Sequence, residues 1–166
     1  MGTGHVVACD VDADKVDALR ALDARVDGVT IEAVQVEPDA ALPFEPASFD
    51  GVLVDAPCTN TGVLRRRVEA RWRLSPGDVE ALASIQRDLL ERALPLVKPG
   101  GRLVYSTCSL EPEENEGVVT AFAESHPELD LDIAFRVFPA ADRDGGFAAT
   151  LTQPAGRRDS EHGTPS

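Results

Sequence analysis

The chain has 166 residues, a formal charge of −13 and 43% apolar residues, enough for one soluble globular domain with its own core. It contains no apolar run long enough to cross a membrane and no secretory signal pattern. The three cysteines, Cys9, Cys58 and Cys108, include no C-x-x-C pair. This spacing argues against a disulfide framework and a zinc site, and it favours a reducing, cytoplasmic setting.

The first third of the chain predicts two strands around a helix. Residues 5–10 (HVVACD) form a short apolar run that predicts a buried strand. Asp12 is a helix N-cap candidate, because apolar residues recur at helical spacing after it. The β-branched residues of 29–36 predict the second strand, and residues rich in Pro and Ala predict a loop at 38–48.

The remaining elements continue the alternation. Residues 51–54 predict a strand, and 59–74 a loop; residues 75–78 (SPGD) combine a cap, a proline and an acid at a helix start. Further elements are predicted in order as a strand at 102–106, a helix opening at 111–114, and strands at 133–137 and 147–151. This order predicts an α/β fold with a mainly parallel sheet over residues 1–152, and the polar residues 153–166 predict a disordered tail.

Polar groups follow several of the predicted strands. Ligands of open α/β sheets bind at the carboxyl ends of strands, which groups Asp10, Asp55, Cys58 and the segment after Tyr105 along one edge. In nucleotide-binding sheets an acid at the position of Asp10 accepts hydrogen bonds from a ribose diol. Acids after strands are also common turn and cap residues, and Asp10 by itself favours that structural interpretation.

Two cysteines stand directly after predicted strands. Cys58 closes the segment 55–58 (DAPC), in which Asp55 and a proline precede the thiol. Cys108 lies shortly before a helix start, where the helix dipole favours a thiolate. A single such cysteine usually packs as a small buried apolar residue. Two of them, each after a strand of the same sheet, favour a functional role.

A cluster of arginines lies between the two cysteine segments. Its members crowd around Trp72, and they are Arg65, Arg66, Arg67, Arg71 and Arg73. Such a run is most often a solvated loop. The overall negative charge also opposes binding of nucleic acid, which needs Lys and Arg at its phosphates.

The two cysteine segments resemble motifs of a known family. Residues 55–66 (DAPCTNTGVLRR) resemble motif IV of the Nop–Sun RNA cytosine-5 methyltransferases, and residues 105–110 (YSTCSL) with 112–115 (PEEN) resemble motif VI. The resemblance extends from about His5 to Leu151. It implies a Rossmann-like class I methyltransferase fold, S-adenosylmethionine as cofactor, and RNA, ribosomal RNA above all, as substrate. A small-molecule methyltransferase would not explain the paired cysteine motifs.

The resemblance also implies roles for individual residues. Cys108 would be the nucleophile that adds to carbon 6 of cytosine, and Cys58 would assist breakdown of the covalent adduct. Asp55 would bind the polar edge of the flipped-out base and would also belong to the cofactor site. Asp10 would hold the cofactor ribose and Asp39 would approach the adenine, with Glu37 as a rival for that position. Arg65, Arg66, Arg67 and Arg71 would contact RNA phosphates.

One part of the family pattern is not found before His5. The cofactor-binding glycine loop, with its strand and helix, should precede that residue, and only Met1-Gly2-Thr3-Gly4 stands there. The strand in question is the central one, so we expect two exposed strand edges and a weakly stable chain. A missing N-terminal segment or a complementary chain would complete the sheet. The alternative to an enzyme is therefore a non-catalytic module that binds RNA or completes another chain.

Overall fold

The computed structural model describes residues 3–23, 28–38, 40–66 and 75–155. The chain divides into two compact units, Met1–Pro43 and Phe44–Ser166, here called unit 1 and unit 2. In chain order, the helices and strands are β1 (Gly4–Asp10), α1 (Ala13–Asp23), β2 (Val29–Gln35), β3 (Phe49–Asp55), α2 (Pro76–Ala93), β4 (Val97–Thr107), α3 (Glu116–Ser125), β5 (Asp130–Val137) and β6 (Gly146–Thr152). Short 3-10 turns lie at Thr61–Val63, Leu94–Leu96 and Pro112–Glu114.

Unit 1 is a strand–helix–strand unit. Strands β1 and β2 pair in parallel over their full length, from Gly4 opposite Val29 to Asp10 opposite Gln35. Helix α1 begins after Asp12, whose carboxylate accepts the backbone N–H of Asp14 at 3.0 Å, as the predicted cap requires. Within the described part of unit 1, Val16 is the only buried residue.

Unit 2 contains a four-stranded sheet in the order β3-β4-β6-β5. Strands β3 and β4 are parallel, and β6 runs antiparallel to both β4 and β5. The predicted α/β fold is confirmed, but its sheet is mixed instead of mainly parallel. The reason is the short connection between β5 and β6, which carries no helix; parallel neighbours need a long crossover, whereas a short connection joins antiparallel ones.

Side chains of α2, α3 and one face of this sheet form the core. Helix α2 starts with a capping box, in which Ser75 and Asp78 bond to each other's backbone N–H. Its buried Leu90 and the buried Phe122 of α3 belong to one cluster with Leu103 and Tyr105 of β4. Burial of such side chains contributes about 1.5–3 kcal/mol each. Strand β4 is thereby held between helices on one face and paired strands on both edges.

Two elements differ in extent from their predictions. Strand β4 begins at Val97 instead of residue 102, because Val97 pairs with Phe49 across an irregularity in the β3 register. Residues 98–101 (KPGG) resemble a loop in sequence. Within this segment Gly100 adopts a left-handed conformation, with φ of 78°. The helix predicted to open at 111–114 is instead a 3-10 turn followed by α3. Asn115 interrupts them with a non-helical backbone.

Strands β1 and β3, which were expected to flank the missing central strand, are each paired along one edge only in the described ranges. In the described ranges β1 pairs with β2 alone and β3 pairs with β4 alone. Leu53 of β3 is 65% exposed, so most of this apolar side chain faces solvent. The described helices include none that is both long and apolar enough to span a membrane.

Candidate functional site

The two cysteine segments meet at one end of the unit 2 sheet. Strands β3 and β4 are parallel, with Asp55 opposite Ser106, so the loops that follow them leave the sheet side by side. The backbone N–H of Ala56 continues the ladder by donating to Ser106 O at 3.0 Å. Beyond this point the Sγ atoms of Cys58 and Cys108 lie 3.2 Å apart, in hydrogen-bond contact. The predicted proximity of the two thiols is therefore confirmed.

The two thiols differ in their surroundings. Cys58 is buried, with 9% of its surface exposed, whereas Cys108 is half-buried. The hydrogen bond with Cys108, and then burial, raise the pKa of Cys58 far above the ordinary thiol value. Cys58 therefore keeps its proton and can donate it to the Cys108 sulfur, which lies within hydrogen-bond distance.

Asn60 contacts both cysteine segments. It adopts a left-handed conformation with φ of 61°, which Asn tolerates better than most residues. Its amide Nδ2 donates to Cys58 O at 2.7 Å, and its Oδ1 accepts the Cys108 thiol at 3.1 Å. Our sequence analysis quoted Asn60 within a motif without assigning it a role. The signal available was an asparagine followed two residues later by a glycine in a predicted turn.

Gly62 joins the Cys58 segment to two other loops. Its N–H donates to Cys108 O at 2.8 Å, and its carbonyl accepts the N–H of Gly145 at 2.9 Å. A Cβ atom at position 62 would lie 2.6 Å from Cys108 O and 2.7 Å from Gly145 O. Such distances are below any normal contact, so the close approach of these three backbones requires glycine.

A buried carboxyl group lies beneath the thiols. Glu114 is fully buried and accepts hydrogen bonds from Thr59, Ser109 and Gln86. The Tyr105 hydroxyl donates to the Glu114 carbonyl at 2.6 Å. Burial, followed by the nearby Glu114 and Cys58, raises the pKa of Tyr105 well above the ordinary tyrosine value. Tyr105 is therefore neutral and remains a hydrogen-bond donor at physiological pH.

Asp55 lies at the exposed mouth of the same region. It is the last residue of β3, and its carboxylate accepts the Ser106 hydroxyl at 2.9 Å. The side chain is exposed, so it can reach a ligand placed over the strand ends. Asp55, Cys58 and Cys108 are thus brought to one end of the sheet.

Of the predicted cofactor residues, Asp10, Asp55 and the rival Glu37 are described; Asp10 and Glu37 belong to unit 1, and Asp55 belongs to unit 2. Asp10 ends β1, and it accepts the N–H of Asp12 at 2.9 Å and Lys15 Nζ at 3.2 Å. The Asp12 hydrogen bond, more than Lys15, lowers the pKa of Asp10. Glu37 is exposed. Asp39 lies outside the described residues, and the grouping of Asp10 with Asp55 and Cys58 stays a prediction.

The arginine segment is described as far as Arg66. Arg65 and Arg66 are exposed; the Arg65 guanidinium donates to Ala141 O, and Arg66 Nε lies 2.9 Å from Asp144 Oδ2. A cavity of about 280 Å³ beside Arg65 is lined partly by Arg143. Arg67 and Arg71 lie outside the described residues, as does the aromatic Trp72.

Strand order, the antiparallel β6 and the polar groups at the strand ends define a Rossmann-like class I methyltransferase fold. Two solved structures agree. PH0851 is 35% identical, with a TM-score of 0.76 over 89% of this chain and 36% of that protein. The structure of NSun6 from Pyrococcus horikoshii with SFG is 26% identical, with a TM-score of 0.68 over 90% of this chain and 41% of the other.

Sequence comparison identifies the family within that class. The family model described as "16S rRNA methyltransferase RsmB/F" matches residues 1–152, and the chain belongs to this family. The probable ribosomal RNA small subunit methyltransferase B of Bacillus subtilis is 38% identical over 132 residues, which are 79% of this chain and 30% of that protein. The chain thus spans about a third of the length of this relative.

Proposed function

We propose that this chain carries the catalytic thiol pair of an S-adenosylmethionine-dependent RNA cytosine-5 methyltransferase that acts on ribosomal RNA. The observation that carries the proposal is the 3.2 Å contact between Cys58 and Cys108 at the ends of two parallel strands. Membership of an rRNA methyltransferase family supports the substrate class. A reducing compartment, the cytoplasm, is proposed from the sequence, whose three cysteines include no C-x-x-C pair.

The chemistry explains why two thiols are useful. Carbon 5 of cytosine is a weak nucleophile, and addition of the Cys108 thiolate to carbon 6 places an electron pair on carbon 5. S-adenosylmethionine, when bound, supplies the methyl group that carbon 5 then takes. Water then takes the carbon 5 proton, the electron pair of that bond restores the ring double bond, and the sulfur–carbon bond breaks with its electrons on Cys108. Cys58 keeps its proton because its pKa is raised, so it can assist adduct breakdown by donating that proton to the departing Cys108 sulfur.

Asp55 and Asp10 supply acceptors for the two ligands. The exposed Asp55 carboxylate at the end of β3 is proposed to bind the polar edge of a base that lies over Cys108, and the bound cofactor would lie beside it. Asp10 ends β1 with one protein donor at each carboxylate oxygen, and the remaining lone pairs can accept a ribose diol. Asp39, or Glu37 in its place, is proposed for the adenine.

Phosphate contacts are proposed for the arginine segment. Arg65 and Arg66 are exposed although each has one contact with the protein, and they follow the Cys58 loop directly. Arg67 and Arg71 continue the same run. A local positive surface at this position would orient RNA on an otherwise acidic chain.

A non-catalytic module is the second candidate. The one-sided pairing of β1 and β3 in the described ranges favours it, because an unpaired strand edge can accept a strand from an N-terminal segment or a complementary chain. A binding module has no need, however, of two thiols in contact above a buried hydrogen-bond network. The catalytic proposal accounts for both features if the sheet is completed in the active protein.

The deciding experiment measures methyl transfer from labelled S-adenosylmethionine to unmethylated small-subunit rRNA. We expect Cys108→Ala to abolish both transfer and the covalent protein–RNA adduct. Cys58→Ala should accumulate that adduct, because attack remains possible while breakdown is slowed. Cys9→Ala is the matched control and should behave as the unsubstituted chain.

Two outcomes would contradict the proposal. An adduct that forms in Cys108→Ala but not in Cys58→Ala would reverse the two roles. RNA binding without any transfer by the unsubstituted chain, alone or with a completing segment, would favour the non-catalytic module.

A further inference from the structure

Glu114 accepts more hydrogen bonds than any role proposed above requires. Its Oε1 atom accepts the Thr59 N–H and the Gln86 amide, each at 3.0 Å. Its Oε2 atom accepts the Thr59 and Ser109 hydroxyls, each at 2.5 Å. The residue is 0% exposed, so no water replaces these contacts if the carboxyl group is lost. A buried polar group with this many donors is costly to remove.

The donors come from the two cysteine segments and from one helix of the core. Thr59 directly follows Cys58, and Ser109 directly follows Cys108. Gln86 of α2 donates in addition to Pro57 O at 2.9 Å, and so holds the Cys58 segment from the other side. The Glu114 carboxyl group therefore accepts hydrogen bonds from Thr59 and Ser109, the residues that directly follow the two cysteines.

The neighbouring residue strengthens the Cys108 side of this link. Asn115 accepts the Thr107 hydroxyl at 2.6 Å and donates to Ser109 O at 3.0 Å, so it holds the residues on both sides of Cys108. The 3-10 turn at Pro112–Glu114 and the non-helical Asn115 direct these two side chains toward the thiols. The cysteine loops are thus attached to a fixed point in the core.

We propose that Glu114 is a positioning residue that sets the distance between the Cys58 and Cys108 sulfurs. It touches neither sulfur in any contact described above, and it acts through Thr59 and Ser109. Its importance for methyl transfer rests on the proposed function, whereas its effect on the thiol pair does not. Loss of the carboxyl group would let each loop move independently and would separate the two thiols.

The distance between the thiols can be tested without RNA or cofactor. Dibromobimane alkylates two neighbouring thiols in sequence, each sulfur displacing one bromide, and closes a fluorescent cross-link. In a Cys9→Ser background the cross-link reports on Cys58 and Cys108 alone. The rate of closure, divided by the rate of single alkylation by iodoacetamide, measures proximity separately from thiol reactivity.

Glu114→Leu keeps a similar volume and removes every acceptor of the side chain. We expect closure to slow by at least about tenfold, which corresponds to the loss of one or more buried hydrogen bonds to a carboxyl group. Glu114→Gln should stay within about threefold of the parent, because its oxygen can still accept Thr59 N–H and Gln86 while the two hydroxyls turn to accept its amide. Glu113→Leu, at an exposed neighbouring position, is the matched control and should leave closure unchanged.

A purely structural role would give a different pattern. Phe122→Leu lowers the stability of the same core without touching the thiol loops, and it should not slow closure. If it slows closure as much as Glu114→Leu does, general stability controls the thiol distance and the proposal is wrong. A glutamine variant as slow as the leucine variant would show that charge matters and not hydrogen-bond geometry, and it would overturn the proposal as well.

If Glu114→Leu does not fold, two variants with smaller changes test the positioning role of Glu114. Ser109→Ala and Thr59→Val each remove one hydroxyl donor, and each should slow closure by about fivefold. Unchanged closure in both variants would overturn the proposal. These outcomes are independent of whether the chain methylates RNA; if it does, Glu114→Leu should lower kcat while leaving the KM for RNA nearly unchanged.

Discussion

The candidate site residues of the two units lie in different surroundings. In unit 2, Cys58 and Cys108 lie above buried polar groups that are bonded to one another and to the core. In unit 1, Asp10 lies at a strand end, and its carboxylate bonds only to residues at most five positions away among those described. Val16 is the only buried residue in the described part of that unit.

This difference shows which contacts hold each candidate site in place. The geometry of the thiol pair is determined by contacts between segments far apart in sequence, and it persists as long as unit 2 is folded. The Asp10 carboxylate depends on a local turn, which forms with little help from packing but also gains little stability from it. Three measurements test this difference between the units.

The largest expected difference lies in hydrogen exchange of backbone amides. We expect the central β4 amides to exchange at least about a hundredfold more slowly than those of β1, after correction for intrinsic rates, because strands in a buried core open only with the whole unit. Mass spectrometry of peptic fragments would measure both strands in one sample. Equal protection of β1 and β4 would show that the two units unfold together.

The next prediction compares two glycines. Gly62→Ala should destabilise unit 2 by about 3 kcal/mol, because the added Cβ overlaps the carbonyls of Cys108 and Gly145. Gly77→Ala is the matched control, since a Cβ atom at that helical position meets nothing within 4 Å. Urea denaturation followed by the tyrosine and tryptophan fluorescence would measure both. A Gly62→Ala variant as stable as Gly77→Ala would refute the close approach of the three loops.

The smallest effect is expected at Asp10. Asp10→Asn should lower the stability of unit 1 by less than about 1 kcal/mol at neutral pH, since its contacts are near the surface. The pKa of Asp10 is lowered from 3.8, so the carboxylate contributes its stability above that value and loses it as the pH falls through the lower folded-state pKa. The difference between variant and parent should therefore vanish in strong acid, as measured by pH-dependent unfolding. A difference that grows on acidification would contradict the lowered pKa.

The order of helices and strands, and the proximity of the two thiols, could be predicted from the sequence. Apolar runs and caps predict the strands and helices, and the parallel pairing of β3 with β4 brings Cys58 and Cys108 to one end of the sheet. The antiparallel direction of β6 was not predicted, because side-chain alternation does not encode strand direction. The roles of Glu114 and Asn60 were not predicted either. Which donors an acid or amide meets depends on loops 50 residues apart, and no local pattern reveals that.

The conformation of Asn60 restricts what this position can accept during evolution or in a variant library. Its left-handed backbone favours Gly, Asn and Asp over other residues. Glycine would keep the turn but lose both contacts of the amide, to Cys58 O and to the Cys108 thiol. Aspartate would lose the donor and set a negative charge against the sulfur that becomes negative under the proposed function. Position 60 should therefore tolerate far less change than its place in a loop would suggest, and selection for thiol reactivity should recover asparagine.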